Sequence, residues 1–286
     1  MSISRLTSLG AVSLLAAALF AGPALADGMP DRRAATAPEE RLCSLSANIG
    51  VTTDYVFRGF SQTAEGPAVQ GGVDATCGMF YAGLWASSLD FAGSTFGSFS
   101  STSFFDASVE MDWYVGIKPK TGPITWDLGI IYYSYPRAKS VALPINRDLD
   151  YVELKVGASG DIWRGGTLGA TVFYSPDYQL NSGSTWTVEG AFTQVLPRQG
   201  MFSPSVSATI GHQVNDASGA KAAAYAFSYG GGKDNYTYWN AGMTLGFLEK
   251  WSVDVRYWDT NLPGGSCNGA TFQCDQRVVG SLKVTF

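Results

Sequence analysis

The residues that could do acid–base or nucleophilic chemistry are few in this chain. A serine hydrolase needs a histidine as general base beside its nucleophile, and His212 is the one histidine. It stands beside Gln213 at the end of a predicted strand, and no serine motif accompanies it. The sequence also lacks a glycine loop with a lysine for phosphate and a cluster with metal-ligand spacing. We therefore expect no enzymatic activity, cofactor or metal site, and interpret His212 as a polar residue at a strand end.

Charged residues do occur, and they recur at every second position of otherwise apolar segments. This period of two is typical of a β-strand with one polar and one apolar face. The polar phase holds nine acidic and four basic residues: Asp54, Arg58, Asp74, Asp106, Glu110, Asp112, Asp127, Glu153, Lys155, Glu189, Asp254, Arg256 and Lys283. The pattern predicts that these side chains share one face of a sheet.

The segments that carry these charges number about twelve. The first runs over 44–58 and the clearest over 105–117, and both exceed the usual length of a globular strand. Short connections (77–79, 118–123, 159–166, 197–204 and 248–250) alternate with mostly longer ones (59–67, 92–103, 136–148, 175–184, 213–235 and 260–275). Such alternation indicates an all-β, antiparallel transmembrane β-barrel with both termini in the periplasm. A soluble β-sandwich is the alternative, but it predicts no such two-sided alternation.

Composition agrees with a membrane barrel. Charged residues make up 15% of the chain, against about 25% in soluble domains. Glycines number 34, and aromatic residues reach 13%. We expect most aromatics near strand ends to form girdles at the membrane interfaces: Tyr55, Phe57, Trp113, Trp126, Tyr132, Tyr133, Trp186, Trp239, Trp251, Tyr257, Trp258 and Phe286. The formal net charge of −5 argues against nucleic acid as a partner.

The amino-terminal part predicts export. Arg5 precedes an apolar run, and Ala24-Leu25-Ala26 has the form of a cleavage site. We therefore divide the chain into a signal peptide (1–26), a polar periplasmic lead-in (27–43) and a barrel (44–286). A membrane anchor is the alternative, but the apolar run is short for a span, which needs about 20 residues. The predicted location is the outer membrane, with its lipid as a partner.

Four cysteines lie in the exported part, and an even count there suggests disulfides. Cys43 precedes the first strand and Cys77 lies in the first short turn, so the two are expected at the same end of neighbouring strands. Cys267 and Cys274 share the last long loop. We predict the pairs Cys43–Cys77 and Cys267–Cys274, with free thiols as the alternative.

The region of residues 46–90 resembles the TorF-type porins, a family of exported proteobacterial proteins. The resemblance rests on residues 48–63 (NIGVTTDYVFRGFSQT), 67–74 (PAVQGGVD) and 81–87 (YAGLWAS). It implies an outer-membrane porin and gives no solute. Similarity to outer-membrane barrels also implies that the last strand, which ends at Phe286, is read by the barrel-assembly machinery. At Arg58-Gly59, where the chain is expected to leave strand one, we favour a structural clamp over direct contact with solute.

Two hypotheses follow for the lumen. If the polar phase faces inward, its acidic excess favours cations; we expect passive diffusion of small hydrophilic solutes with a weak cation preference. Its lining would include Asp54, Arg58, Asp106, Glu110, Asp112, Asp127, Glu153, Lys155, Glu189, Asp254 and Arg256. Alternatively, the charges pair across a narrow lumen and close it. A non-conducting structural or receptor-like barrel and an outer-membrane hydrolase are the other functions considered.

Overall fold

The computed structural model describes residues 43–90, 107–138, 148–228, 232–263 and 273–286. The predicted signal peptide, most of the lead-in, Asp106 and Cys267 lie outside these ranges. In chain order the strands are β1 (Cys43–Thr52), β2 (Val56–Phe57), β3 (Phe60–Ser61), β4 (Ala68–Cys77), β5 (Phe80–Ser88), β6 (Val109–Ile117), β7 (Lys120–Thr121), β8 (Ile124–Ser134), β9 (Tyr151–Trp163), β10 (Gly166–Ser175), β11 (Thr185–Val195), β12 (Ser203–Asn215), β13 (Asn235–Phe247), β14 (Trp251–Thr260) and β15 (Arg277–Thr285).

Twelve of these strands form a closed antiparallel barrel, so the predicted fold class and strand number are confirmed. Each long strand pairs with its sequence neighbours, and β6 pairs directly with β8 because β7 is a two-residue extension beside β8. The pairing of β1 with β15 closes the barrel, with Val51 opposite Leu282. Closure leaves the long strands without a free edge, which removes a site of aggregation.

Alternation gives the wall two different faces. On β6, Val109, Trp113 and Val115 are exposed on the outside, whereas Glu110 and Asp112 are buried inside. On β9, Leu154 and Val156 are exposed in the same way. An apolar outer face and a polar interior are what a barrel in lipid requires.

The first strand is shorter than predicted. β1 ends at Thr52 rather than near residue 58, and it begins at Cys43, one residue earlier than the predicted barrel boundary. Thr52 donates its hydroxyl to the Asp54 carbonyl at 2.8 Å, and Arg58 and Gly59 have positive φ angles of 48° and 87°. A positive φ reverses an extended chain, so residues 58–59 form the turn between β2 and β3, whereas β1 has already ended at Thr52 although the alternation continues to Phe57.

The Cys43–Cys77 disulfide is present and joins opposed residues of β1 and β4. Cys274 is also disulfide-bonded, but its predicted partner Cys267 is not among the described residues.

In addition to the strands, the described residues include the helix α1 (Gly219–Ser228), which follows β12. No helix in the described ranges has the length and apolar character needed to cross a membrane.

Candidate functional site

The segment between β1 and β4 folds into the barrel instead of extending outward. We call residues 53–63 the in-folded hairpin; it contains β2 and β3, which pair through Val56–Ser61 and Phe57–Phe60. Tyr55, Arg58 and Phe60 are each at most 2% exposed. A loop on the surface of a protein would not bury such large side chains, so this hairpin packs as part of the interior.

Contacts of the in-folded hairpin reach opposite parts of the wall. The Tyr55 hydroxyl donates to Glu110 Oε1 on β6 at 2.7 Å. The Phe60 ring lies 5.2 Å from the Tyr236 ring on β13, with an edge-to-face angle of 82°. β6 and β13 are well separated around the barrel, so the hairpin crosses the interior from one side to the other.

Arg58 makes the strongest polar contact of this hairpin. Its Nη1 and Nη2 donate to Glu153 Oε1 and Oε2 on β9 at 2.7 and 2.8 Å, and both side chains are 1% exposed. The guanidinium also lies 4.8 and 4.9 Å from the ring centres of Phe57 and Phe173. A two-point contact of this kind fixes geometry as well as charge, as the predicted clamp at Arg58 requires.

Hydrogen bonds to Asp54 hold the base of the in-folded hairpin. Asp54 Oδ1 accepts from the Ser61 and Thr63 hydroxyls at 2.6 and 3.0 Å. Asp54 Oδ2 pairs with Arg277 Nη1 on β15 at 2.8 Å. These bonds connect both ends of the hairpin to the closing strand of the barrel, so its entry and exit points are fixed.

Gly59, at the tip, has almost no space around it. A Cβ built there would lie 2.4 Å from Thr260 Cγ2 and 3.1 Å from Tyr238 Cβ. Its φ of 87° also favours glycine over residues with a side chain. Arg58-Gly59 therefore lets the backbone of the hairpin reach the wall at β13 and β14.

Four further charged residues of the predicted lining form two pairs nearer the end that holds the termini. Lys155 Nζ lies 2.8 Å from Asp127 Oδ2, and the Tyr81 hydroxyl donates to Asp127 Oδ1 at 2.6 Å. Arg256 pairs with Asp254 at 3.1 Å. The structure thus brings Lys155 to Asp127 and Arg256 to Asp254, which reduces the acidic excess expected from the sequence.

Three acidic residues around the hairpin lack a paired cation. Within the described ranges, Glu110, Asp112 and Glu189 form no ion pair, and each is at most 3% exposed. Glu189 accepts a short hydrogen bond from the Tyr238 hydroxyl. Asp112 stands two residues from Glu110 on the inner face of β6, and its carboxyl has no hydrogen-bond partner beyond that neighbour among the described residues. Acidic groups without an ion-pair partner are therefore concentrated where the in-folded hairpin crosses the barrel.

Some of the aromatic residues predicted to form interfacial girdles lie inside the barrel instead. Tyr55, Phe57 and Tyr133 were expected at the membrane interface, yet the Tyr133 side chain is fully buried and lies 5.9 Å from Phe57, ring to ring. Tyr151 stacks on Tyr133 at 4.3 Å. The alternation of the strands does predict an inward position for these tyrosines. Tyr133 lies an even number of residues from Asp127 on β8, and Tyr151 lies two residues from Glu153 on β9. In the loop after β10, burial raises the pKa of Tyr178 and keeps its phenol protonated.

Few features of the described residues suggest catalysis or metal binding. His212 is exposed on β12, and its Nδ1 lies 2.8 Å from the Thr237 hydroxyl on the neighbouring strand. No group of three or more histidine, cysteine or acidic residues in these ranges could hold a metal ion. The polar interior crossed by the in-folded hairpin is therefore the candidate site.

Solved structures with a similar fold include porins. The KdgM porin has a TM-score of 0.51 at 7% identity, over 84% of this chain and 98% of that chain. A second KdgM structure, titled as a complex with disordered oligogalacturonate, has 0.50 at 6% identity, over 84% and 98%. The NanC porin has 0.47 at 13% identity, over 85% and 99%. At these identities the likeness is one of fold.

Sequence comparison gives a family but no characterised relative. No curated protein matches the chain. A family model described as a bacterial protein of unknown function (Gcw_chp) matches residues 35–286. That description does not contain the TorF-type label that the motifs of residues 46–90 suggest. The chain belongs to the Gcw_chp family of bacterial proteins.

Proposed function

We propose that this protein is an outer-membrane porin for small hydrophilic solutes, with its lumen narrowed by the in-folded hairpin. One observation carries the proposal: a closed twelve-strand barrel with an apolar outer face encloses a polar interior rich in ionisable groups. A purely structural barrel has no need of buried charges, which are costly to keep inside. The fold shared with the KdgM porin supports the same class.

The proposed orientation puts both termini in the periplasm and the longer connections outside the cell. The in-folded hairpin then enters from the extracellular end, because it follows the end of β1 opposite to Cys43. In this scheme residues 1–26 direct export, and the strand that ends at Phe286 engages the assembly machinery. Assignment to the TorF-type porins and pairing of Cys267 with Cys274 are part of the same proposal.

We further propose a weak preference for cations. Glu110, Asp112 and Glu189 support it, because they surround the in-folded hairpin without a paired cation within the described ranges. Carboxylates at a constriction raise the local concentration of cations. The pairs Lys155–Asp127 and Arg256–Asp254 contribute little net charge, so the preference should depend mainly on the three acids.

Single-channel recording in planar bilayers tests this function. The refolded protein should give discrete current steps, and a tenfold KCl gradient should give a reversal potential of the sign that indicates cation flow. Asp112→Asn should move that potential toward zero, whereas Asp161→Asn, near the end of β9 that holds the short turns, should not. An anion-selective reversal potential would contradict the proposed preference.

A second candidate is a receptor-like barrel that does not conduct. It is favoured by the in-folded hairpin, whose contacts with β6, β9 and β13 cross the interior. Such a protein would be silent in bilayers although folded. A folded β-barrel migrates differently on a gel before and after heating, so this test separates a silent barrel from a protein that failed to fold. Enzymatic activity is not part of either proposal.

A further inference from the structure

Three neighbouring strands present buried polar atoms that have no hydrogen-bond partner among the described residues. These atoms are Ser175 Oγ on β10, Thr187 Oγ1 on β11 and Gln213 Nε2 on β12. The three side chains are at most 1% exposed. Native proteins satisfy nearly all such atoms, and each exception needs an explanation. We call these three residues the neutral polar wall.

The strand register places the members of the neutral polar wall side by side. Thr187 lies directly opposite Gln213, and Ser175 lies opposite Thr185, two residues before Thr187. They therefore occupy one patch of the inner face, near the end of the barrel from which the in-folded hairpin enters. Three adjacent polar side chains form a continuous polar surface, which a single unpaired hydroxyl does not.

Aromatic rings border this patch. The Tyr236 hydroxyl donates to Gln213 Oε1 at 2.7 Å. The Gln213 amide nitrogen carries two N–H donors, and although it lies beside the Tyr178 phenol, one N–H stays available for a solute. The Tyr178 ring lies 4.7 Å from that of Tyr151. Ligand sites commonly combine aromatic surfaces with a few hydroxyl and amide groups that fix orientation. The wall and its tyrosines have that composition.

The in-folded hairpin covers this region. The Arg58 guanidinium lies 4.9 Å from the centre of the Phe173 ring, and Phe173 is the register partner of Thr187. Phe60 contacts Tyr236, which is the register partner of Gln213. A solute could reach the neutral polar wall only when the in-folded hairpin moves away. The solute would then take the place of the hairpin against these side chains.

Resting on the proposed porin function, we propose that the neutral polar wall binds a neutral polyhydroxylated solute, such as a saccharide, during its passage. Hydroxyl groups of the solute can accept from Gln213 Nε2, and they can both donate to and accept from Ser175 and Thr187. The wall has no charge of its own, and Glu189 stands two residues from Thr187 on the same face. An anionic solute would be repelled there, so the preferred class is uncharged.

Ion current through the refolded protein provides the test, with glucose as the neutral probe and glucuronate as an anionic probe of similar size. The neutral probe should interrupt the KCl current at lower concentration than glucuronate. The double variant Ser175→Ala/Thr187→Val should raise the half-blocking concentration of the neutral probe about tenfold or more, as expected for loss of one or two hydrogen bonds. Thr209→Val, on the same face of β12 but nearer the short turns, is the matched control and should leave it unchanged.

The opposite results would overturn the inference. The neutral polar wall serves only to hold water if the neutral probe blocks the double variant and the native protein at the same concentration, or if glucuronate blocks as well as glucose. If no variant conducts, the porin proposal fails separately, and calorimetric titration of the folded protein in detergent with the same neutral probe decides the wall by itself. Both variants should keep the heat-dependent gel shift of a folded barrel, because the replaced groups have no partner whose loss would weaken the fold.

Discussion

The Arg58–Glu153 pair should determine whether the in-folded hairpin stays inside the barrel. Glu153→Gln removes the charge that compensates Arg58 but keeps the shape of the side chain. Removing one partner of a buried pair costs about 3–5 kcal/mol, since the other charge stays desolvated. The Phe57 and Phe173 rings stay beside the guanidinium, so we take the lower end, about 3 kcal/mol.

Movement of the hairpin relieves this cost more easily than unfolding of the barrel. If Arg58 leaves the interior, its guanidinium regains water while the strand-to-strand hydrogen bonds of the wall stay intact. A change of about 3 kcal/mol alters the ratio of in-folded to released hairpin about 100-fold. The Glu153→Gln variant should therefore spend much more time in a high-conductance state than the native protein.

Two assays follow this change in the same protein. Single-channel recording reports the fraction of time in the larger conductance state, and trypsin reports access to the Arg58–Gly59 bond, which is buried in the structure. Cleavage after Arg58 should accelerate by up to the same factor of about 100 when the opening is fast compared with cleavage. Folding is checked by the heat-dependent gel shift of the barrel.

A second variant separates loss of charge balance from loss of contact. Arg58→Met/Glu153→Gln removes both charges, and replacing a buried pair with uncharged residues is often neutral or stabilising. This double variant should keep the hairpin inside and conduct like the native protein. If Glu153→Gln alone leaves both conductance and trypsin cleavage unchanged, the pair is not what holds the hairpin.

The remaining predictions concern the hairpin tip, the disulfide and the lipid face. Gly59→Ala should displace the hairpin and raise conductance, because a Cβ would lie 2.4 Å from Thr260 Cγ2; Gly78→Ala is the control, since its φ is also positive but nothing lies within 4 Å. Cys43→Ser/Cys77→Ser opens a cross-link between residues 34 apart and should cost about 3–4 kcal/mol by chain entropy, lowering the temperature of the gel shift without altering conductance. Val156→Arg, on the lipid face, should destabilise the barrel by about 2–4 kcal/mol if it lies near the bilayer midplane, as measured by urea unfolding in lipid; an unchanged midpoint would contradict the assigned outer face.

The barrel could be predicted from the sequence because its signal is local and repeated. Each strand shows a period of two within about ten residues, as on β6 with Glu110 and Asp112 inward and Trp113 outward. Turn lengths then fixed the antiparallel order. The pairing of Cys43 with Cys77 followed from the same order, because the start of the first strand lies beside the end of its antiparallel neighbour.

The in-folded hairpin could not be predicted in this way. Alternation continues from Thr53 to Phe57, so these residues fit a longer first strand as well as they fit a hairpin. Whether Tyr55 and Phe57 face lipid or the interior depends on partners far away in sequence, such as Trp85 and Tyr133. The Arg58–Glu153 pair joins residues 95 positions apart, and local periodicity carries no information about such a contact.

The charge balance of the interior also could not be predicted from the alternation of residues alone. Phase places Lys155 and Asp127 on the inner face, but only the register of β8 with β9 brings them within 2.8 Å. Among the fully buried acids of the predicted lining, Glu110, Asp112 and Glu189 are therefore the ones without an ion pair within the described ranges. These three residues surround the in-folded hairpin, where the electrostatic effect on a passing ion should be largest.

The most direct measurement compares the native barrel with one that lacks the in-folded hairpin. Thr52 and Ala68 are register partners at the ends of β1 and β4, so a two-residue Asn-Gly turn can replace residues 53–67 and keep the strand pairing. Single-channel recording should then give discrete steps that are several-fold larger than those of the native protein, with folding verified by the gel shift. Equal conductance in the two barrels, or silence in both, would contradict the account of a porin narrowed by this hairpin.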